Sequence, residues 1–165
     1  MGEKNLSVLI VDDNAHMRSM LLQVVKSTGI ERVYFASDGA EALKTLREHG
    51  VDILITDMAM EPMDGIELVK RIRKSPESAN RMIPVLMITG HMTITRIQEA
   101  RDAGVNEFVA KPISVKAVLG RLEAIIERPR DFIDAPSYFG PDRRRRKDPA
   151  YTGPRRRRGD SDPKA

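Results

Sequence analysis

Three acids, a hydroxyl and an amine punctuate the first two thirds of this chain in a pattern suited to holding a cation and a phosphoryl group. Asp12 and Asp13 close the apolar run Val8-Leu9-Ile10-Val11, and Asp57 closes Ile53-Leu54-Ile55-Thr56. Thr89 ends a third run, Pro84 to Ile88, and Lys111, followed by Pro112, ends a fourth from Glu107 to Ala110. A carboxylate oxygen is a competent nucleophile toward phosphorus, and phosphoryl transfer asks for charge placement more than covalent help. Asp57 is the candidate nucleophile. Asp13 and Asp57 are candidate direct ligands for a hard cation such as Mg²⁺, and Asp12 joins them directly or through water. Lys111 supplies a point charge to one phosphoryl oxygen, and the Thr89 hydroxyl donates to another. Taken singly, each residue has a plainer reading: a solvated strand end, a helix cap, a Lys-Pro turn. Together they describe one pocket.

Those residues meet only if the runs that carry them lie side by side. Short β-branched runs alternating with helical periodicity are parallel strands, whose carboxyl ends gather at one sheet edge. Strands fit near residues 6–11, 32–36, 51–57, 84–89 and 106–110. Met17, Met20, Leu21, Val24 and Val25 lie on one helical stripe after a cap at Asp13 or Asn14. Asp38 with Glu41 reads as a capping-box variant, Asp64-Gly65 opens a third helix, Gly104 can end a fourth, and Ser114 caps a fifth. Five strand–helix units imply an α/β fold with a five-stranded parallel sheet, doubly wound and covered on both faces.

Composition divides the chain in two. The 165 residues carry a net charge of +4, yet residues 1–128 hold 17 Lys+Arg against 18 Asp+Glu, and residues 129–165 hold 11 against 6. The basic character therefore belongs to the tail. With no cysteine there is no disulfide framework. No run reaches the roughly 18–20 apolar residues of a membrane span, and the N-terminus lacks a signal-peptide core. Cytoplasmic is the default expectation.

The order and spacing of Val11-Asp12-Asp13, Asp57 with Met63-Asp64-Gly65, Thr89-Gly90 and Lys111-Pro112 resemble the receiver domain of bacterial two-component response regulators, the CheY-like family. The resemblance covers residues 5–127 or so. It implies a flavodoxin-like fold and phosphorylation at Asp57 by a histidine kinase, a phosphotransfer protein or a small acyl phosphate. It also implies Mg²⁺ held by Asp12, Asp13, Asp57 and the backbone carbonyl of Ala59, and a cis Lys111–Pro112 bond. The family's aromatic switch position, three residues before the lysine, is Phe108; lacking a hydroxyl, it would act with Thr89 by packing alone. Met60-Glu61-Pro62-Met63 places its proline one residue later than the commonest pattern.

Residues 129–165 hold six of the ten prolines and few aliphatic side chains, which predicts a disordered or ligand-folded tail. Tyr138-Phe139-Gly140-Pro141-Asp142-Arg143-Arg144-Arg145-Arg146 is echoed by Tyr151-Thr152-Gly153-Pro154-Arg155-Arg156-Arg157-Arg158, and the tail carries four of the seven aromatics. Arginine pairs bidentately with phosphate and with guanine, and tyrosine stacks on bases. The tail thus resembles the arginine-rich extension of CheY-like cyclic di-GMP effectors, which act on the flagellar motor and related machinery. That resemblance implies ligand contacts from Arg143, Arg144, Arg145, Arg146, Arg155, Arg156, Arg157 and Arg158, with Tyr138 and Tyr151 stacking. Nucleic acid, an acidic protein surface or an anionic membrane would suit the same charges.

The whole then reads as a receiver domain at 1–128 and an arginine-rich tail at 129–165. It would be a non-enzymatic phosphoacceptor switch that assists its own phosphoryl transfer and hydrolysis and signals to a downstream protein by contact. The alternative is a ligand sensor or adaptor whose basic tail works independently of phosphorylation.

Overall fold

A computed structural model describes residues 5–75, 80–90 and 93–143. Five strands, β1 (Ser7–Val11), β2 (Arg32–Ala36), β3 (Ile53–Asp57), β4 (Val85–Thr89) and β5 (Glu107–Ala110), form a parallel sheet in the order β2-β1-β3-β4-β5. The three inner strands are buried along their full length, which is why they read as unbroken apolar runs. Alternate residues serve opposite layers. Leu9, Val11 and Leu54 face one core with α2 (Gly39–Glu48), α3 (Gly65–Lys74) and α4 (Ile94–Ala103). Val8, Ile10, Ile53 and Ile55 face the other with α1 (Ala15–Ser27) and α5 (Val115–Glu127). Chain order reverses between β1 and β3, and a crevice opens there at the carboxyl ends of the strands.

The helix starts follow side-chain capping. Asn14, rather than Asp13, caps α1, accepting from the Met17 N–H at 3.1 Å. Asp64 and Ser114 cap α3 and α5 in the same way. At α2, Asp38 accepts from the Glu41 N–H at 2.8 Å, as a capping box requires. The returning Glu41 carboxylate reaches one residue further, to the Ser37 N–H and hydroxyl, both at 2.8 Å. Those two donors hold the Glu41 carboxyl below its ordinary range. Gly104 ends α4 in the left-handed region at φ 106°, a conformation glycine adopts without steric cost.

Beyond α5 the structure departs from the expected disorder. Strands β6 (Phe132–Ala135) and β7 (Tyr138–Pro141) form an antiparallel hairpin, with Phe132 opposite Pro141 and Ala135 opposite Tyr138. It packs through β7 on α3 and α4. Scarcity of aliphatic residues was a poor guide because aromatic rings and the chain's own arginines supply the contact. Arg73 lies 4.8 Å from the Phe132 ring centre, Arg81 3.9 Å from Phe139 and Arg143 4.1 Å from Tyr138. Ordered structure therefore runs on through Arg143 instead of stopping at Arg128. Arg144, Arg145, Arg146, Tyr151, Arg155, Arg156, Arg157 and Arg158 lie outside the described residues.

Candidate functional site

The β1 turn delivers Asp12 and Asp13 to the crevice, and β3 delivers Asp57. Carboxylate oxygens of the three lie within 4.8 Å of one another, with Asp12 and Asp57 buried and Asp13 exposed. Asp12 is fixed at its backbone by its N–H donating to the Ala36 carbonyl and by Arg18 Nη1 donating to its own carbonyl at 2.6 Å. Its Oδ1 accepts from the Asn14 N–H at 2.8 Å, so one residue both braces the acid and starts α1. Asp12 Oδ2 is buried with no hydrogen-bond partner among the described residues.

Burial pushes the Asp12 carboxyl up from 3.8 to about 6. The Asp57 charge and the Asp13 contact push the same way, while the Asn14 N–H and Lys111 oppose them. An orphaned buried oxygen beside two further carboxylates is the donor set a hard divalent cation takes, so these residues fit such an ion.

Asp57 is 4 % exposed. Lys111 Nζ stands 3.1 Å from its Oδ1 and keeps partial access to solvent. The Lys111 N–H donates to the Thr89 carbonyl at 2.8 Å, which ties its backbone to the end of β4, and the following Lys111–Pro112 bond is cis. The Glu61–Pro62 bond, in the loop with the displaced proline, is cis as well. Thr89 lies on β4 next to the strand bearing Asp57, and its Oγ1 stands 3.4 Å from Met58 Sδ. Phe108 is half-buried against the core on the α4 side. Ala59 is exposed, two residues past Asp57.

Gly65 has a steric reason. A Cβ there would fall 2.1 Å from the Asp57 carbonyl oxygen, and the Gly65 N–H donates to the Met58 carbonyl at 2.8 Å. The Asp64-Gly65 pair thus starts α3 directly against the backbone of the candidate acceptor.

The model of the response regulator receiver domain matches residues 8–123. The chain belongs to the response regulator receiver family. It is 38 % identical over 125 residues to the chemotaxis protein CheY-3 of Vibrio cholerae, covering 76 % of this chain and 95 % of that one. It is 35 % identical over 123 residues to the chemotaxis protein CheY of Pseudomonas aeruginosa, covering 74 % and 98 %. A putative response regulator from Chloroflexus aurantiacus superposes with a TM-score of 0.68 at 32 % identity, over 74 % of this chain and 98 % of that one. The receiver match ends before β6. Among the described residues no helix is long and apolar enough to cross a membrane.

Two features of this receiver escaped the sequence reading. Arg18 sits within hydrogen-bond reach of the Asp12 backbone, and only its offset along α1 could have signalled that. Arg96, on the first turn of α4, lies 3.4 Å from Asp64 and 2.8 Å from Glu99, linking α4 to the cap of α3. Tyr138 and Arg143 differ from their expected ligand-contact role. The Tyr138 ring is buried, its hydroxyl donates to the Pro141 carbonyl at 2.8 Å, and Arg143 covers its face. Arg143 also pairs with Asp102 at 2.7 Å. Both are spent on holding the hairpin.

Proposed function

We propose that this receiver is a phosphoryl-accepting signalling switch with Asp57 as the acceptor. The observation that carries it is the Lys111 ammonium 3.1 Å from Asp57 Oδ1, in a crevice that also gathers the Asp12 and Asp13 oxygens. An Asp57 oxygen attacks the phosphorus of a phosphohistidine on a kinase or phosphotransfer protein, or of an acyl phosphate. The P–N or P–O bond to the donor breaks as the new P–O bond forms, and imidazole or carboxylate leaves. A divalent cation such as Mg²⁺, held by Asp12, Asp13, Asp57 and the Ala59 carbonyl, would supply the charge that offsets three carboxylates and a phosphoryl group. Lys111 binds one transferred oxygen as a point charge, and the Thr89 hydroxyl donates to another after leaving Met58. Water attack on the same phosphorus breaks its bond to the Asp57 oxygen, frees the carboxylate and inorganic phosphate, and resets the switch.

Output then passes by protein contact. Phosphorylation adds about −1.5 to −2 charges at Asp57, which biases a two-state equilibrium read through Thr89 and the packing of Phe108. Relatives that bear the name of chemotaxis proteins make a motility target, in the cytoplasm, the first to try. Binding of cyclic di-GMP by the tail is not part of this proposal, because Tyr138 and Arg143, the described residues assigned to it, make other contacts, Tyr138 to the Pro141 carbonyl and Arg143 to Asp102 of α4. The test is labelling by acetyl phosphate with Mg²⁺: wild type takes up phosphoryl, Asp57→Asn does not, and equal labelling of the variant overturns the assignment.

A further inference from the structure

The hairpin straddles two helices. From β6, Phe132 lies over Arg73, near the C-terminal end of α3. Beside β7, Arg143 pairs with Asp102 in the last turn of α4, and Gly140 meets Gly104 at its cap. The fit has no slack: a Cβ on Gly140 would come 2.9 Å from Gly104 Cα, and one on Gly104 would come 3.2 Å from the Phe139 carbonyl oxygen. Arg73 itself ties the seat together. It is 2 % exposed, has no carboxylate partner among the described residues, and donates to the carbonyls of Gly104 and Arg81 and to Asn106 Oδ1. A guanidinium so placed holds the α3 end to the α4 end, and the hairpin lies across that joint.

The other end of α4 reaches the acceptor loop. Arg96 pairs with Asp64, which precedes the glycine seated against the Asp57 carbonyl. A ten-residue helix is a rod about 15 Å long, so a shift of α4 against α3 at the Arg96–Asp64 end is carried to the Gly104–Arg73 end. A close glycine contact and a short ion pair tolerate such a shift poorly.

We propose that the C-terminal hairpin is a latch across α3 and α4 whose docking is coupled to phosphoryl occupancy of Asp57. The docked hairpin is the closed latch. Charging Asp57 moves α4 against α3, loosens the hairpin and releases Arg143 from Asp102. The proposal rests on the phosphoryl-acceptor reading and adds what that reading controls. Coupling is reciprocal: a partner that captures the undocked hairpin would favour charged Asp57.

The experiment uses the full chain with Mg²⁺ and beryllofluoride, a phosphoryl mimic that sits on a carboxylate. Loading is read by fluorine NMR, and hydrogen exchange is followed at the β6 and β7 amides. The loaded protein is expected to exchange these amides about fivefold faster or more. Asp102→Asn, at an exposed residue, is expected to open the hairpin in the unloaded chain and to tighten beryllofluoride binding. Unchanged hairpin exchange in protein shown to be loaded overturns the latch. So does an Asp102→Asn variant that opens the hairpin yet binds beryllofluoride as wild type does. Failure of beryllofluoride to load overturns the phosphoryl-acceptor reading itself, and the latch with it.

Discussion

Lys111 Nζ lies 3.1 Å from Asp57 Oδ1, so the ammonium pairs directly with the carboxylate that would accept the phosphoryl group and help hold a cation. Removing the amine has two opposite effects. Lys111→Ala loses a charge donor at the transferred group, and labelling by acetyl phosphate is expected to slow about 100-fold. The same change removes a cation competing for the carboxylates, so Mg²⁺ affinity is expected to rise about fivefold. Both are read on one protein, by timed labelling and by Mg²⁺ titration. A variant that labels at the wild-type rate would remove Lys111 from the chemistry.

The Asp12 carboxyl, raised from 3.8 to about 6, makes cation-free stability depend on pH. Between those values the folded state holds a proton that the unfolded chain has released. Stability therefore falls as pH rises through that window, by on the order of 2–3 kcal/mol, and stays low above it. Without Mg²⁺ the protein is expected to melt higher at pH 5 than at pH 7.5 from this group. Saturating Mg²⁺, which binds the ionised form, flattens or reverses the slope. Asp12→Asn removes the slope and stabilises the cation-free protein at pH 7.5; identical slopes in wild type and variant would contradict the account.

The five-stranded sheet was legible because β1, β3 and β4 are buried on both faces, and double burial leaves a run such as Val8 to Val11 with no polar interruption. The pocket was legible for the same reason: an Asp, Thr or Lys placed just after such a run stands out, and topology brings the strand ends together. The hairpin was not legible. Its stability comes from pairings such as Arg81 with Phe139 and Arg73 with Phe132, which join residues far apart in sequence. Nothing in the local pattern names an arginine on α3 as the partner of a phenylalanine after α5. Four aromatics among the last 37 residues are a real signal: Tyr138 and Tyr151 suggest ligand stacking, whereas Phe132, Tyr138 and Phe139 serve the hairpin. Arg96–Asp64 was hidden likewise, because a lone arginine in the first turn of a helix looks like solvation although this one is half-buried.

Gly65 is expected to tolerate no side chain. A Cβ would fall 2.1 Å from the Asp57 carbonyl oxygen, a backbone atom that cannot swing aside. Gly65→Ala is expected to cost about 2–3 kcal/mol in denaturant unfolding and to slow acetyl phosphate labelling beyond what the lost stability explains, because relief of the clash displaces the acceptor strand end. Labelling at wild-type rate in folded Gly65→Ala would show that the acceptor is insensitive to the start of α3.

The hairpin contacts can be measured one pair at a time. Arg81 lies 3.9 Å from the centre of the Phe139 ring, the shortest of the three guanidinium–ring distances. In a double-mutant cycle of Arg81→Ala and Phe139→Ala, followed by denaturant unfolding of the full chain, a coupling of about 0.5–1 kcal/mol is expected. Phe132→Ala is expected to cost about 2 kcal/mol, because it removes the ring's buried apolar area together with its contact to the Arg73 guanidinium. Zero coupling between Arg81 and Phe139, with Phe132→Ala neutral, would mean that the hairpin does not rest on α3 in solution, since a docked hairpin cannot lose its aromatic contacts without cost.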